Sequence, residues 1–471
     1  MDGLECSVLN LKKVQNNDVR FDSEYYSKRN LYLSEKLNSI GTKTIGNYGG
    51  KLDCSAFYPS ITEYYSNDRK NIPFLRVNEI KDGLITITDH TVFLPSRIIE
   101  DNRKTIALAY PGDIIIAKGG NTLAKVGLVT NEYPMYATCR DVIILRTDDL
   151  DALNKYYLWA FLHSEYGQGI LWRSASQTGQ PHLTLPAIMR IKVPDSILLQ
   201  NTMQLLYEDS VKLKDQAEKL YKESEMVLNR SFGLQHPNDT NIAVAVKELS
   251  NTFVKTGRLD AEYYQPKYDL IVSSLNTQET LESICNLYDE NYLPDEEKYY
   301  RYIELANVGG FGEITETDSI VGEELPTRAR RIVKTGQVIV SSIEGSLQSC
   351  ALITDELDGA LCSTGFYVVD SEKLNSETLL VLFKSEAIQE LLKQRCSGTI
   401  LTSINKDEFL SLPLPKIDED IQAKISEQIK ESFALRRKSK QLLEDAKRAV
   451  EIAIEQDEES AIEWLKDRVD L

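Results

Sequence analysis

Several short stretches of this sequence set Arg or Lys beside Asn, Gln or Thr, side chains that can grip the edges of nucleobases with paired donors and acceptors. In the first half they are Arg76, Asn78 and Lys81 after the run IPFLRV; Lys118, Asn121 and Lys125 around Gly119 and Gly120; and Arg173, Gln177, Thr178 and Gln180. In the second half they are Arg328, Arg330, Arg331 and Lys334 within TRARRIVK, then Gln348, and last Lys393, Arg395, Asn405 and Lys406. Arg97, Arg103 and Lys104 form a purely cationic group, which suits phosphate, since phosphate asks only for charge and donors whereas a base asks for a pattern. Singly, each of these residues reads equally well as solvated surface charge. As clusters they point to contact with double-stranded DNA.

Catalytic chemistry is not legible beside them. There is no GxxxxGK[ST] phosphate loop, and the GGFG of Gly309 to Gly312 lacks a following Lys and reads as a turn. An Asn/Asp-Pro-Pro-aromatic motif for methylating a flipped base is absent, as is a Gly-rich cofactor motif. The acids of PDEEK (Pro294 to Lys298) stand too close together for a metal-dependent nuclease, and His182 has no accompanying Cys or acid. Seven cysteines without a CxxC pair and four histidines give neither a disulfide framework nor zinc-ligand spacing. The expectation is a chain with no catalytic or metal-binding residues and no cofactor of its own.

These residues need a framework, and 471 residues at 42% apolar composition are enough for several packed domains. No apolar run reaches the length of a membrane span, and MDGLECSVLN has no basic start followed by an apolar stretch, so a reduced cytoplasmic protein with no membrane partner is expected. The net charge of -18 is unevenly spread: residues 1 to 195 carry 23 Lys+Arg against 22 Asp+Glu, and residues 257 to 415 carry 13 against 27. The first half is therefore the better match to a polyanion.

The chain repeats itself. RFDSEYY (Arg20 to Tyr26) returns as RLDAEYY (Arg258 to Tyr264), and PGDIIIAKGGNTLAKVGLVT (Pro111 to Thr130) parallels TGQVIVSSIEGSLQSCALIT (Thr335 to Thr354) in apolar register. GQPHLTLPAIMRIKVP (Gly179 to Pro194) parallels GTILTSINKDEFLSLP (Gly398 to Pro413). The offset shrinks from 238 to 219 residues, as in a duplicated domain whose loops have shortened, and unlike a solenoid of short units. DIIIA and QVIVSS read as strands, and KYYLWAFLHSE and SETLLVLFKSEAIQELL as helices.

Each half closes on a long amphipathic segment. Leu199, Leu206, Leu213, Leu220 and Val227 recur every seven residues, and Ile421, Ile425, Ile429, Leu435 and Leu442 trace a second stripe. Either one alone reads as well as a helix covering a core; two in matching places favour a pair, each about 50 Å long at about 1.5 Å per residue. The expected fold class is α/β (α+β), with domains at 1–194 and 258–415, a long helix at 195–231, a connector at 232–257, and a second long helix with a C-terminal tail at 416–471.

This order of parts resembles the specificity subunit of type I restriction-modification systems: a globular target-recognition domain, a long helix, a second such domain and a second helix. The resemblance rests on the Gly-Asp-apolar run PGDIIIAKGGNTLAKVGLV and on the endings, in which Leu-Pro or Val-Pro precedes each helix, and it covers nearly the whole chain. It implies a non-catalytic reader of a bipartite DNA target, with the helices pairing as an antiparallel coiled-coil spacer that carries two methyltransferase subunits, and with restriction/translocase subunits joining. S-adenosylmethionine, ATP and Mg would then sit on partner subunits only. The rival reading is a protein-interaction scaffold or DNA mimic in another anti-phage system, to which the acidic second half would lend itself.

Overall fold

The computed structural model describes residues 7–10, 22–88, 91–176, 180–232, 244–315, 317–398 and 402–469. By contact the chain divides into two units, Met1–Leu213 with Arg437–Leu471, and Lys214–Arg436. The long helices span Leu198–Phe232 and Glu419–Glu455. Each is split near its middle between the units, so that a unit consists of one globular head with half of each helix.

In the first unit the head holds two larger sheets beside the two-stranded pair of Thr42–Thr44 and Lys192–Pro194. One runs Phe93–Leu94, Ile72–Leu75, Tyr136–Thr138, Leu108–Ala109 in spatial order; the other runs Lys51–Asp53, Val142–Arg146, Ile114–Ala117, Val126–Leu128, Leu84–Ile85, Ile80–Lys81. Ile115 and Ala117 join a core with Phe74 and Tyr136 of the other sheet, while Ile114 and Ile116 join a second core with Trp159, Phe161 and Leu199. Successive strand residues face opposite ways, so a strand with a sheet on one side and helices on the other must be apolar throughout. That is why Asp113 to Ala117 shows no polar alternation.

The second unit repeats this plan. Its sheets run Asp318–Val321, Tyr299–Ile303, Leu361–Ser363, Ala329–Ile332 and Asn286–Tyr288, Phe366–Asp370, Val338–Ser341, Cys350–Leu352. In both heads the first sheet has its second and third strands parallel and its third and fourth antiparallel. Val338 and Val340 face the helix-side core and Ile339 the inter-sheet core. The first head differs by the extra hairpin of Ile80–Lys81 and Leu84–Ile85, closed by Asp82 (φ 47) and Gly83 (φ 76), the left-handed pair that a two-residue hairpin requires.

Within each unit the half-helices run antiparallel. In the first, Ser210 meets Ser439 at 2.9 Å, and Leu198 N–H at the start of the first long helix donates at 3.0 Å to Glu458, just past the end of the second. In the second, Ser432 Oγ donates to the Ala217 carbonyl at 2.7 Å and Gln428 reaches Glu223 at 3.5 Å. Small residues at these crossings let the backbones approach closely.

The seam departs from the expected heptads. Leu199 and Leu206 are buried, but Leu213, Leu220 and Val227 are only half-buried; Ser210, Tyr221 and Phe232 continue the stripe from Leu199 at intervals of eleven. A strict seven-residue period drifts by about 20° per heptad around a straight helix, so its later members rotate off the packed face. On the second helix Ile425, Ile429 and Leu442 are buried, Ile421 and Leu435 half-buried, and Ser432 and Ser439 lie in the stripe.

No helix is long and apolar enough to cross a membrane, and no group of His, Cys, Asp and Glu suited to a metal ion occurs among the described residues. The cysteines described are free thiols.

Candidate nucleic-acid interface

The repeat seen in the sequence is also a repeat of loop geometry. In the first head the turn after Ile114–Ala117 carries Lys118, Gly119, Gly120, Asn121 and Lys125. Leu183 N–H donates to the Lys118 carbonyl at 2.8 Å, and β-bridges join His182 to both Gly119 and Ser176. In the second head Ile404 N–H donates to the Ser342 carbonyl at 2.8 Å, and Ser403 bridges both Ile343 and Ser397. A strand-end turn and the segment leading to the long helix are thus laced together in both heads.

In the first head the turn presents Asn121 and Lys125, exposed, and Lys118, half-buried, with exposed Gln180 on the laced segment. Gly120 adopts φ 72 and Ala124 φ 66, which folds the turn tightly. Lys118 N–H donates to the Asp141 carbonyl at 2.8 Å, which brings in Arg140, a residue that the sequence did not single out. The Arg140 guanidinium lies 5.2 Å from the Phe57 ring and 5.5 Å from that of Tyr58. The Ala56 N–H donates to the Thr105 carbonyl at 2.8 Å, so Phe57 stands beside the segment of Arg103 and Lys104, both exposed. The only sequence signal for this patch was an aromatic pair, Phe57-Tyr58, and a lone Arg at a strand corner.

Other first-head candidates are tied into the fold. Arg76 bonds Glu79 at 3.0 Å, and although burial pulls the guanidinium down, that carboxylate offsets it and Arg76 is raised. Arg173 donates to the Tyr25 carbonyl at 3.0 Å and lies 4.1 Å from the Tyr25 ring, fixing the segment before the first helix. Asn78 is exposed, and Lys81 adjoins the Asp82–Gly83 tip, which meets the second long helix through Asp82–Lys440 at 3.1 Å. Arg97 is exposed and pairs with Asp101 at 3.8 Å. Gln177 and Thr178 lie outside the described residues.

In the second head two of the candidate cations, Arg328 and Lys406, are matched by acids. Arg328 bonds Glu304 at 2.8 Å and Tyr302 at 3.2 Å, and the hydrogen bond to Tyr302 and the charges of Tyr302 and Glu304 raise it. Arg331 donates to the Phe366 carbonyl and lies 5.5 Å from the Tyr367 ring. Arg330 is half-buried; Lys334, Gln348 and Lys393 are exposed. Asn405 caps the Lys406–Leu410 helix by accepting Glu408 N–H at 2.9 Å, and Lys406 holds Asp289 at 2.8 Å, keeping that carboxylate below its usual range. Arg395 is corrected: it is 8% exposed, donates to the Leu391 carbonyl and Gln394, and is lowered by burial, so it has no surface to offer.

No family model matches the chain, and no curated protein matches it. Among solved structures it is similar to the type I restriction-modification S subunit from M. genitalium, at 13% identity and TM-score 0.35, covering 90% of this chain and 96% of that one. It is similar to the HsdS subunit from Thermoanaerobacter tengcongensis at 12% identity and TM-score 0.26, covering 87% and 97%. The type IIG restriction endonuclease BpuSI is similar at 12% identity and TM-score 0.30, over 41% of this chain and 29% of that one. The structures that match this chain along most of its length include S subunits of type I restriction-modification systems.

Proposed function

We propose that this chain is a non-catalytic DNA sequence-recognition subunit that reads a bipartite target and directs partner methyltransferase and restriction subunits to it. The observation that carries this reading is the duplicated reading loop: the Lys118–Lys125 turn laced to His182 in one head, and the Ser342–Gln348 turn laced to Ser403 in the other. Two heads of one design within one chain suit a target of two half-sites. The first head supplies the denser set of donors and cations, exposed Asn121, Lys125, Arg140 and Gln180 with half-buried Lys118. S-adenosylmethionine, ATP and Mg belong to the partners in this reading.

The second head supports a second reading. With its cations matched by acids at Arg328–Glu304 and Lys406–Asp289, it would dock on a protein or mimic DNA. Mapping modified bases across a genome, with the chain and a methyltransferase co-expressed and with the methyltransferase alone, separates the two. A bipartite motif that depends on this chain supports the reader. A stable complex without any motif supports the scaffold.

A further inference from the structure

We propose that Phe57 is an apolar wedge that the first head presses into the base stack of bound duplex DNA, with Arg140 as its cationic support. This rests on the DNA-reading function proposed above. Phe57 is 77% exposed, the most exposed aromatic side chain among the described residues. A single exposed Phe needs no explanation by itself, but this one is held out on a fixed backbone. The preceding residue, Ala56, is bonded to Thr105, and the following one, Tyr58, packs edge-on against buried Phe74 at 6.4 Å. Tyr58 is half-buried against the inter-sheet core, and burial pushes its hydroxyl up to about 12.

The surroundings of Phe57 match a duplex rather than an apolar protein surface. Arg140 covers one flank of the ring, Arg103 and Lys104 precede the Thr105 to which its segment is bonded, and Lys118 adjoins Asp141. Asp141 is the exposed carboxylate among these residues; Glu100 and Asp101, upstream of Arg103, are exposed as well, and Arg97 pairs with Asp101. An apolar ring with cations around it can enter between bases while the cations hold the flanking phosphates, as in proteins that unstack a base step with Phe or Leu. The second head offers an internal contrast. Leu293 is 80% exposed and follows Tyr292, whose N–H bonds the Arg330 carbonyl at 2.7 Å along the edge strand of the corresponding sheet. It is followed, however, by Asp295, Glu296 and Glu297. Those charges repel phosphate, so the wedge is assigned to the first head alone.

The test uses the full chain co-purified with its methyltransferase, and duplexes carrying the mapped target with 2-aminopurine placed at successive positions. Fluorescence is read at protein concentrations that saturate the duplex. The expected result is a rise at one step away from the methylated base, lost in Phe57→Ala, kept in Phe57→Trp and kept in the matched control Leu293→Ala; a rise at the methylated base itself reports the methyltransferase. Phe57→Ala should also weaken binding by about tenfold, the size of a single base–aromatic stack. A wild-type complex that binds the target without a rise at any step away from the methylated base, or a Phe57→Ala complex that keeps the rise, overturns the wedge while leaving DNA reading intact. A wild-type complex that binds none of the duplexes overturns the DNA-reading function and the wedge with it.

Discussion

The side-chain oxygen of Gln422 accepts the backbone N–H of Asn375 at 2.9 Å, at the start of the Ser376–Lys384 helix that Asn375 caps. The first unit contains the same contact, Gln200 accepting Asn154 N–H at 2.6 Å where Asn154 caps the Lys155–His163 helix. A Gln in the first turn of each long helix thus positions the Asn-capped helix of its head. The internal glutamines repeat as well: Gln168 bonds the Ala124 and Leu162 carbonyls, and Gln389 those of Leu347 and Phe383. Both tie the strand-end turn to the helix below it.

Gln422 is buried and also donates to the Lys373 and Ile417 carbonyls. Its replacement by Leu leaves the half-buried Asn375 N–H and the buried Ile417 carbonyl without their partner and should cost on the order of 3 kcal/mol. Hydrogen exchange of the Ser376–Lys384 amides would then quicken by about 100-fold, since local opening follows that free energy. Exchange at the wild-type rate would mean that the contact positions nothing.

These tertiary contacts explain what was legible in the sequence. Strand and helix runs were readable because burial on both faces removes polar alternation, as in Ile114 to Ala117. The Gly-Asp of the first repeat and Gly-Gln of the second also proved structural: Asp113 accepts Tyr110 N–H at 2.8 Å and Gln337 accepts Lys334 N–H at 2.9 Å, each closing the turn into the central strand. The weak GGFG signal is a turn, with Gly312 at φ 85 and Phe311 3.8 Å from the Arg436 guanidinium. Arg140 and Phe57 were not legible. Their meeting depends on the Ser55 hydroxyl donating to the Thr138 carbonyl at 2.6 Å, which sets side by side two stretches that are far apart in sequence. Conversely, Arg395 looked like a surface cation because a linear pattern does not show that its helix turns it inward.

His163 gives the first unit a pH dependence in a range where carboxylates are silent. Its ring stacks on Trp159 with centroids 5.9 Å apart, facing Asp82, Glu444 and Lys447. Burial, then Lys447, lowers it below its ordinary value, while Glu444 and Asp82 pull the other way. The folded state therefore binds its proton later than the unfolded chain does. Its contribution to stability is full above about 6.5 and is lost as the pH falls through the window between that and the depressed folded value. Unfolding of the first unit followed by hydrogen exchange from pH 7.5 to 5.5 should show this loss, and His163→Gln should flatten it. An unchanged slope in the variant would assign the effect elsewhere.

The helix crossing in the first unit depends on small side chains. Ser439 Oγ lies 2.9 Å from Ser210 Oγ and 2.8 Å from the Ser210 carbonyl. Ser439→Ala removes a hydrogen bond and should cost about 1 kcal/mol. Ser439→Leu adds volume where the backbones approach and should cost about 1 to 3 kcal/mol. Thermal midpoints ranked wild type, Ala, Leu are expected; a Leu variant as stable as wild type would show that the crossing has room to spare.

Salt dependence separates the contributions of the two heads to DNA binding. Every phosphate that a variant no longer neutralises should lower the slope of log K against log salt by about 0.9. Replacing Lys118, Lys125 and Arg140 with Ala should therefore flatten it by up to about 2.7 on the mapped target. The Arg328, Arg330 and Arg331 triple should flatten it by no more than about 1.8, because Arg331 is held by the Phe366 carbonyl. Arg328 must also leave Glu304 before it can reach a phosphate, so the second head's share should fall nearer a single phosphate. Equal flattening by both triples would mean that the ion pairs of the second head open on DNA, and no flattening by the first would remove the Lys118–Lys125 turn from the interface.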